Sequence, residues 1–296
     1  MDMRKQAPQE AFPEQKLDYL GLQAAVGVTK HDGGSKATNE LIELCQIGEG
    51  KHVLDVGCGT GRTACLLPKK HHCTVVAIDI SEKMLDWSKE RAREEGVENK
   101  VVFRIADATN LPFEDNTFDA VICESVMAFV KDKQKAIDEY VRVTKTGGYI
   151  GFNESTWITP PPAELAESLA STIEEVEILT PDGWRQLMEN AGLRDIVVRP
   201  YKLGFLGLVA DRIRLIGLKR ILRAWYLVIT HPIYRSAIKK MQTPKNTFDY
   251  YGYGIYVGKK RSENKHFSYL GQIREEGVSA RTSYPDDDSS ASLWIP

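Results

Sequence analysis

The residues best suited to chemistry lie in the stretch Val53-Leu54-Asp55-Val56-Gly57-Cys58-Gly59-Thr60-Gly61. A short apolar run, His52 to Val56, ends in glycines at 57, 59 and 61, which reads as a strand turning into a helix. Without β-carbons, such a turn lets a ligand approach the backbone closely and takes positive φ at little cost. A dinucleotide site would use G-x-G-x-x-G, with the pyrophosphate on a helix N-terminus. Here the spacing is G-x-G-x-G, and Asp55 stands two residues before the first glycine. A carboxylate there repels a diphosphate and favours a cation. Three more acids close the next apolar runs: Asp79, Asp107 (followed by Ala108) and Glu124. Asp79 can accept hydrogen bonds from two ribose hydroxyls. Asp107 can accept from an adenine amino group. A ribose, an adenine, an ammonium and a sulfonium occur together in S-adenosylmethionine (SAM). The competing reading makes these acids helix caps and exposed turn residues.

The elements that must position these residues alternate along the chain. His52 to Val56 is the first strand, followed by a helix through about Pro68. Thr74 to Ile80 is the second. Ser81 caps a helix carrying Met84, Leu85 and Ser88 on one side, which reaches Glu95 and stops at Gly96. Val101 to Ala106 and Phe118 to Glu124 are the third and fourth strands. A helix covers 132–144 and ends at Gly147-Gly148, before a fifth strand from Tyr149 to Asn153. Upstream, Ser35 reads as the cap of a helix bearing Ala37, Leu41, Leu44 and Cys45 at helical spacing. Downstream, Pro160 to Pro162 break the chain before an acidic helix reaching about Val176. Thr180-Pro181 then cap a helix ending near Gly192. Ile196 to Tyr201 and Tyr250 to Val257 are strands six and seven. Near-continuous apolar strands alternating with amphipathic helices predict an α/β fold with a mostly parallel sheet covered on both faces.

The stretches VLDVGCGTG, AIDISEKML, ADATNLPFEDNTFDAVICES and TKTGGYIGFNE resemble the successive motifs of class I SAM-dependent methyltransferases. The likeness covers residues 38–155. It implies a Rossmann-like seven-stranded sheet with an antiparallel last strand. It also implies that Asp55, Gly57, Cys58, Gly59, Thr60 and Gly61 surround the methionine part of SAM, with Glu124 beside them. Asp79 would hold the ribose, Ile80 and Met84 would flank the adenine, and Asp107 and Ala108 would lie at its edge. Leu111-Pro112-Phe113 and Phe118-Asp119 are similar to the ubiquinone/menaquinone and sterol C-methyltransferase group. Lys30-His31-Asp32-Gly33-Gly34 and a long insertion before the last strand depart from it. The organisation expected is an N-terminal arm and lid over 1–34 and a methyltransferase domain over 35–202 plus 248–260. A helical insertion covers 203–247, and a polar tail expected to be disordered covers 261–296.

Methyl transfer from a sulfonium needs a base only where the acceptor must lose a proton. The candidates are His31, Glu124 and Glu154. The alternatives are a surface-loop histidine for His31 and a carboxylate tied up by backbone amides for Glu154. Cys123 reads as an apolar strand residue. His71-His72-Cys73 lacks partner ligands at metal-binding spacing, and no metal is expected. Residues 203–245 carry Arg212, Arg214, Lys219, Arg220, Arg223, Arg235, Lys239, Lys240 and Lys245 among Leu, Ile, Val, Trp and Tyr, with Asp211 as the only acid. A basic amphipathic helix of this kind can lie on an anionic membrane, or cover a site for a lipid-like acceptor. It can also be a cap packed on the core with solvated cations.

A small hydrophobic acceptor, such as a quinone, a sterol or a related precursor, is the expected substrate. A soluble metabolite, RNA, protein, or SAM binding without catalysis are the rivals, with an NAD-dependent dehydrogenase behind them. A net charge of −2 over 296 residues argues against nucleic acid. So does Cys123-Glu124-Ser125-Val126, where base amino-methyltransferases carry an Asn/Asp-Pro-Pro-aromatic motif. Five irregularly spaced cysteines and a polar opening, MDMRKQAPQE, suit a reducing cytoplasm. No run of apolar residues is long enough to predict a membrane span.

Overall fold

The computed structural model describes residues 31–172, 176–203, 226, 229–230 and 247–261. The proposed basic helix of 203–245 and the tail beyond Arg261 therefore lie almost wholly outside the described residues. So does most of the N-terminal arm.

Seven strands form one sheet. They are β1 (His52–Val56), β2 (Thr74–Asp79), β3 (Val101–Ile105), β4 (Phe118–Glu124), β5 (Thr144–Trp157), β6 (Arg194–Lys202) and β7 (Tyr251–Lys259). The order is β3-β2-β1-β4-β5-β7-β6. The first five strands pair in parallel, while β7 runs antiparallel to both β5 and β6. Strand order reverses between β1 and β4, and the crevice outside their carboxyl ends is where open α/β sheets take ligands.

The helices are α1 (Gly34–Leu44), α2 (Arg62–His71), α3 (Glu82–Glu95), α4 (Lys133–Val143), α5 (Ala163–Thr172), α6 (Pro181–Asn190) and the short α7 (Thr247–Tyr250). Successive strand residues point to opposite faces. On one face Val53, Val75, Ala77, Ala120 and Ile122 meet Ala37 and Leu41 of α1, Ala64 and Leu67 of α2, and Leu85 and Ala92 of α3. On the other, Leu54, Val56, Ile78, Phe152 and Tyr256 meet Ala136, Ile137 and Tyr140 of α4 and Trp184 and Met188 of α6. Asp55 shares the first face with Val53, so its carboxyl is driven into the core beside α1 and α2.

Local signals hold at α3, where the Ser81 hydroxyl accepts from the Met84 N–H and Gly96 closes the helix at φ 67. They hold at α6, where the Thr180 side chain caps the Gly183 N–H. Three local expectations need correction. Ser35 does not cap α1. The cap is Gly33 at φ 76, and Ser35 lies inside the first turn, its hydroxyl accepting from Arg62 at 3.4 Å. Pro68 does not end α2, which runs on to His71. A proline in the last turns gives up one backbone bond, while Lys69, Lys70 and His71 suit the negative helix end. Gly147-Gly148 does not end α4. That helix stops at Val143, and the Thr144 hydroxyl donates to the Tyr140 carbonyl at 2.6 Å. The two glycines fall in an irregularity of β5, whose partners on β4 jump from Phe118↔Thr144 to Ala120↔Tyr149. Their backbone makes that jump, with Gly147 at φ 76.

Candidate active site

The turn after β1 sits at the switch point. Gly57, Gly59 and Gly61 all adopt positive φ, at 69, 54 and 71°. The bare α-carbons serve the protein's own packing as well as any ligand. A β-carbon at Gly57 would collide with Val126, and one at Gly61 would lie 2.8 Å from the Ser88 β-carbon. The carbonyls of the turn are held from α3. The Ser88 hydroxyl donates to the Gly59 carbonyl at 2.7 Å, and Arg91 Nε donates to the Thr60 carbonyl at 2.8 Å. Cys58 and Thr60 are buried beneath the bend, with the Cys58 N–H on the Ile78 carbonyl. Asp79 ties the turn to β2: its Oδ2 accepts the Gly59 N–H and its Oδ1 the Ser81 N–H, both at 2.9 Å. Burial raises its pKa against the pull of these amides.

Asp55 is 3% exposed. It accepts a backbone bond from Ala64, yet among the described residues no donor reaches its Oδ2. Burial first, then the nearby Glu124 and Asp79, hold its carboxyl well above the usual carboxylate range. A buried acid with an unmet oxygen and two like-charged neighbours is expensive. An ammonium or sulfonium is the kind of group that would relieve it.

Glu124 ends β4 and ties together three segments. Its Oε1 accepts from Thr38 of α1 at 2.9 Å and its Oε2 from Thr63 of α2 at 2.7 Å, while His31 Nδ1 lies 3.8 Å from Oε2. His31 Nε2 is 3.2 Å from the Thr38 hydroxyl. His31 and Glu124 are thus brought together. The neighbouring Asp32, 5% exposed, extends the join. Its N–H donates to Ser125, its carbonyl accepts from Asn153 at 2.7 Å, and its Oδ2 accepts from Ser155 at 3.1 Å and Tyr251 at 2.7 Å. Residues 31–34 therefore lie across the carboxyl ends of β4 and β5.

Glu154 is fully buried. Its Oε1 accepts from the Val126 and Met127 N–H groups at 2.8 Å each, and its Oε2 from Ala128 at 3.4 Å. Of the two sequence readings, the structure has the carboxylate engaged by backbone amides. Cys123 is wholly buried beside Tyr140, and burial pushes its thiol up.

On the far side of the turn, Ile80 stands 74% exposed just past Asp79, an apolar surface at a strand end that a flat ring can cover. Met84, four residues on, and Ala108, three residues past the β3 partner of Asp79, are buried at 5% and 8% exposure. Asp107 Oδ1 accepts from the Thr109 N–H and hydroxyl at 2.8 Å, which fixes the carboxyl at the end of β3.

Sequence reasoning did not single out Asp32, Thr38, Thr63, Arg91, Ser155 or Tyr251 for the site. Thr38 and Thr63 lie on helices, where a buried threonine gives no local signal. Ser88 was legible only as part of the inner side of its helix.

Residues 54–152 match the family model described as a methyltransferase domain. An uncharacterised protein of Haemophilus influenzae is 33% identical over 177 residues, 58% of this chain and 70% of its own length. The methyltransferase GfsG of Streptomyces halstedii is 36% identical over 167 residues, 55% of this chain and 59% of its own. The fold is also that of a Haemonchus contortus phosphoethanolamine N-methyltransferase solved with phosphomonomethylethanolamine and S-adenosylhomocysteine. There the TM-score is 0.67 at 19% identity, over 82% of this chain and 58% of the other. The chain belongs to the class I SAM-dependent methyltransferases. It is an enzyme whose methyl donor is SAM.

Proposed function

We propose that the chain methylates a small, hydrophobic or lipid-like molecule, a quinone, sterol or related precursor, held beside the carboxyl ends of β4 and β5. One observation carries the cofactor half of this reading: the buried Asp55, with an unmet oxygen and Glu124 and Asp79 close by, needs a cation. In this reading Asp55 and the Gly57–Gly61 turn, with Cys58, Gly59 and Thr60, take the methionine part of SAM beside Glu124. Asp79 accepts the Gly59 and Ser81 amides on separate oxygens, with the Ile80 amide as a third donor, and its carboxylate keeps acceptor capacity for a ribose hydroxyl. Ile80 offers its exposed face to the adenine, Met84 backs it, and Asp107 and Ala108 border it.

SAM supplies a methyl group on a sulfonium, with a neutral leaving group. The protein's share is then to orient the reactants and exclude water. Residues 31–34 do part of this by covering the strand ends. Where the acceptor must lose a proton, His31 is the side chain best placed to receive it, with Glu124 behind it to balance the charge. Glu154 is committed to its amides.

The acceptor reading draws support from Trp157 and Leu165, which with Ile178, Tyr250 and Tyr251 form a small apolar cluster past the end of β5, separate from the two main cores. It draws also on the composition of 203–245. Among the described residues no helix is long and apolar enough to cross a membrane, and the enzyme we propose works in the cytoplasm, meeting its substrate at the membrane surface.

Two experiments test this. Asp79→Ala should weaken S-adenosylhomocysteine binding by about 1–3 kcal/mol, the loss of charge-assisted hydrogen bonds; unchanged affinity in a folded variant refutes the ribose assignment. Methyl-labelled SAM, incubated with the enzyme and a cell extract, should pass its label to organic-extractable material. Label passed to a water-soluble product other than SAM would make the acceptor a soluble metabolite, RNA or protein, and label that stays on SAM would refute transfer to any acceptor in the extract.

A further inference from the structure

Glu154 is among the most deeply buried acids of the site, and its surroundings are mechanical as well as electrostatic. Its carboxylate gathers three successive N–H groups, those of Val126, Met127 and Ala128, at the start of the 3-10 turn Met127–Phe129. The segment opens with Ser125 in the left-handed region, at φ 57. That conformation is disfavoured for a residue with a β-carbon, so contacts that favour it matter. Two contacts from β5 hold it, the Ser125 N–H on the Asn153 carbonyl at 2.7 Å and the Glu154 carboxylate just beyond, while the Asp32 N–H reaches the Ser125 hydroxyl at 3.3 Å. The consequence reaches across the sheet to β1. Val126, the first residue in the clamp, fills the place a β-carbon of Gly57 would take, so its isopropyl group lies against the first glycine of the turn. A line of contact therefore runs from a carboxylate on β5, through the amides of 126–128 and the Val126 side chain, to the bend that receives the methyl donor.

We propose that Glu154 is a positioning residue whose charged form clamps 126–128 and thereby sets the Gly57 turn for cofactor binding, rather than a base that touches the acceptor. This rests on the reading of that turn as the SAM site.

The titratable groups that act on Glu154, or on which it acts, are Asp32 of the N-terminal segment, Cys123 of β4, Tyr140 of α4 and Tyr256 of β7. None of the four is a cation. Burial, with Asp32 adding to it, pushes Glu154 up to about 7 against the pull of its three amides. An ionised carboxylate accepts from all three. A neutral acid presents a hydroxyl that competes with an amide for room, so the clamp tightens as pH rises through neutrality.

The test is calorimetric titration of the full chain with S-adenosylhomocysteine from pH 6 to 8.5, with thermal midpoints recorded alongside. Wild type should bind several-fold tighter at the alkaline end. Glu154→Gln, which can accept but carries no charge and turns an NH₂ toward an amide donor, should bind about tenfold more weakly at pH 8.5. Its pH dependence should be flatter and its thermal midpoint no lower. A purely structural role would lower midpoint and affinity together. Val126→Ala leaves the carboxylate clamp in place, so it should weaken binding while keeping the wild-type pH slope; it also serves if Glu154→Gln does not fold. Wild-type affinity in Val126→Ala, or wild-type affinity and slope in Glu154→Gln, overturns the proposal. Wild type that binds no S-adenosylhomocysteine at any pH is a different failure, that of the cofactor site itself.

Discussion

Replacing Asp55 by asparagine should make the protein more stable and its cofactor grip weaker. Asp55 is 3% exposed, one oxygen has no donor among the described residues, and Glu124 and Asp79 both repel its charge. Its folded pKa stands well above the ordinary 3.8, so the folded chain binds this proton more tightly than the unfolded one. The stability it contributes is full below pH 3.8 and is lost as pH rises through the folded value. Asparagine removes that loss. Its carbonyl can accept from Ala64, and its NH₂ can donate toward the neighbouring acids. Relief of a poorly compensated buried charge is on the order of 1–4 kcal/mol. The same change deletes a charge-assisted partner for a cation, about 1.5–3 kcal/mol, or roughly ten- to a hundredfold in affinity. Urea unfolding at pH 7.5 and titration with SAM measure the two effects on one preparation. A variant destabilised by more than about 1 kcal/mol, or one that binds SAM as wild type does, refutes the reasoning. Such opposite signs are expected where a site holds strain that its ligand relieves.

Gly57→Ala should cost about 2–4 kcal/mol, combining a left-handed alanine with the collision against Val126. Adding Val126→Ala should return at least about 1 kcal/mol in a double-mutant cycle by urea unfolding, and strict additivity would mean the two do not meet. Stability of wild type should fall as pH rises from 4.5 to about 7, because Glu154 takes up its proton more readily when folded. Glu154→Gln should flatten that part of the curve, and an unchanged curve would assign the slope elsewhere. Reversing the charges of Arg212, Lys219 and Arg223 should abolish binding to anionic vesicles in a sedimentation assay, and wild type that leaves the vesicles untouched counts against a membrane-borne acceptor.

The alternation of apolar strands and capped helices was legible because each signal is local: Ser81 caps a helix three residues on, and Gly96 stops it. Acids at strand ends were legible for the same reason, since a parallel sheet puts every carboxyl end on one edge. What stayed hidden depends on residues far apart in sequence. Glu124 meets Thr38 and Thr63 across 86 and 61 positions, and Asp32 meets Tyr251 across 219. No periodicity announces such pairs. Glu154 looked as much like a base as an anchor, because the sequence alone does not show three amides turning toward it. At Gly33 and Gly147-Gly148 the glycines were visible but their use was not. One caps a helix with no side chain, and the others carry an irregularity inside a strand.

Calorimetric titration of the wild-type chain against SAM and against NAD tests the electrostatic basis of the site most directly. SAM, which brings an ammonium and a sulfonium to Asp55, should bind saturably with one site per chain, and NAD, with its diphosphate, should give no heat above dilution. Saturable NAD binding without any for SAM would contradict the assignment of the turn.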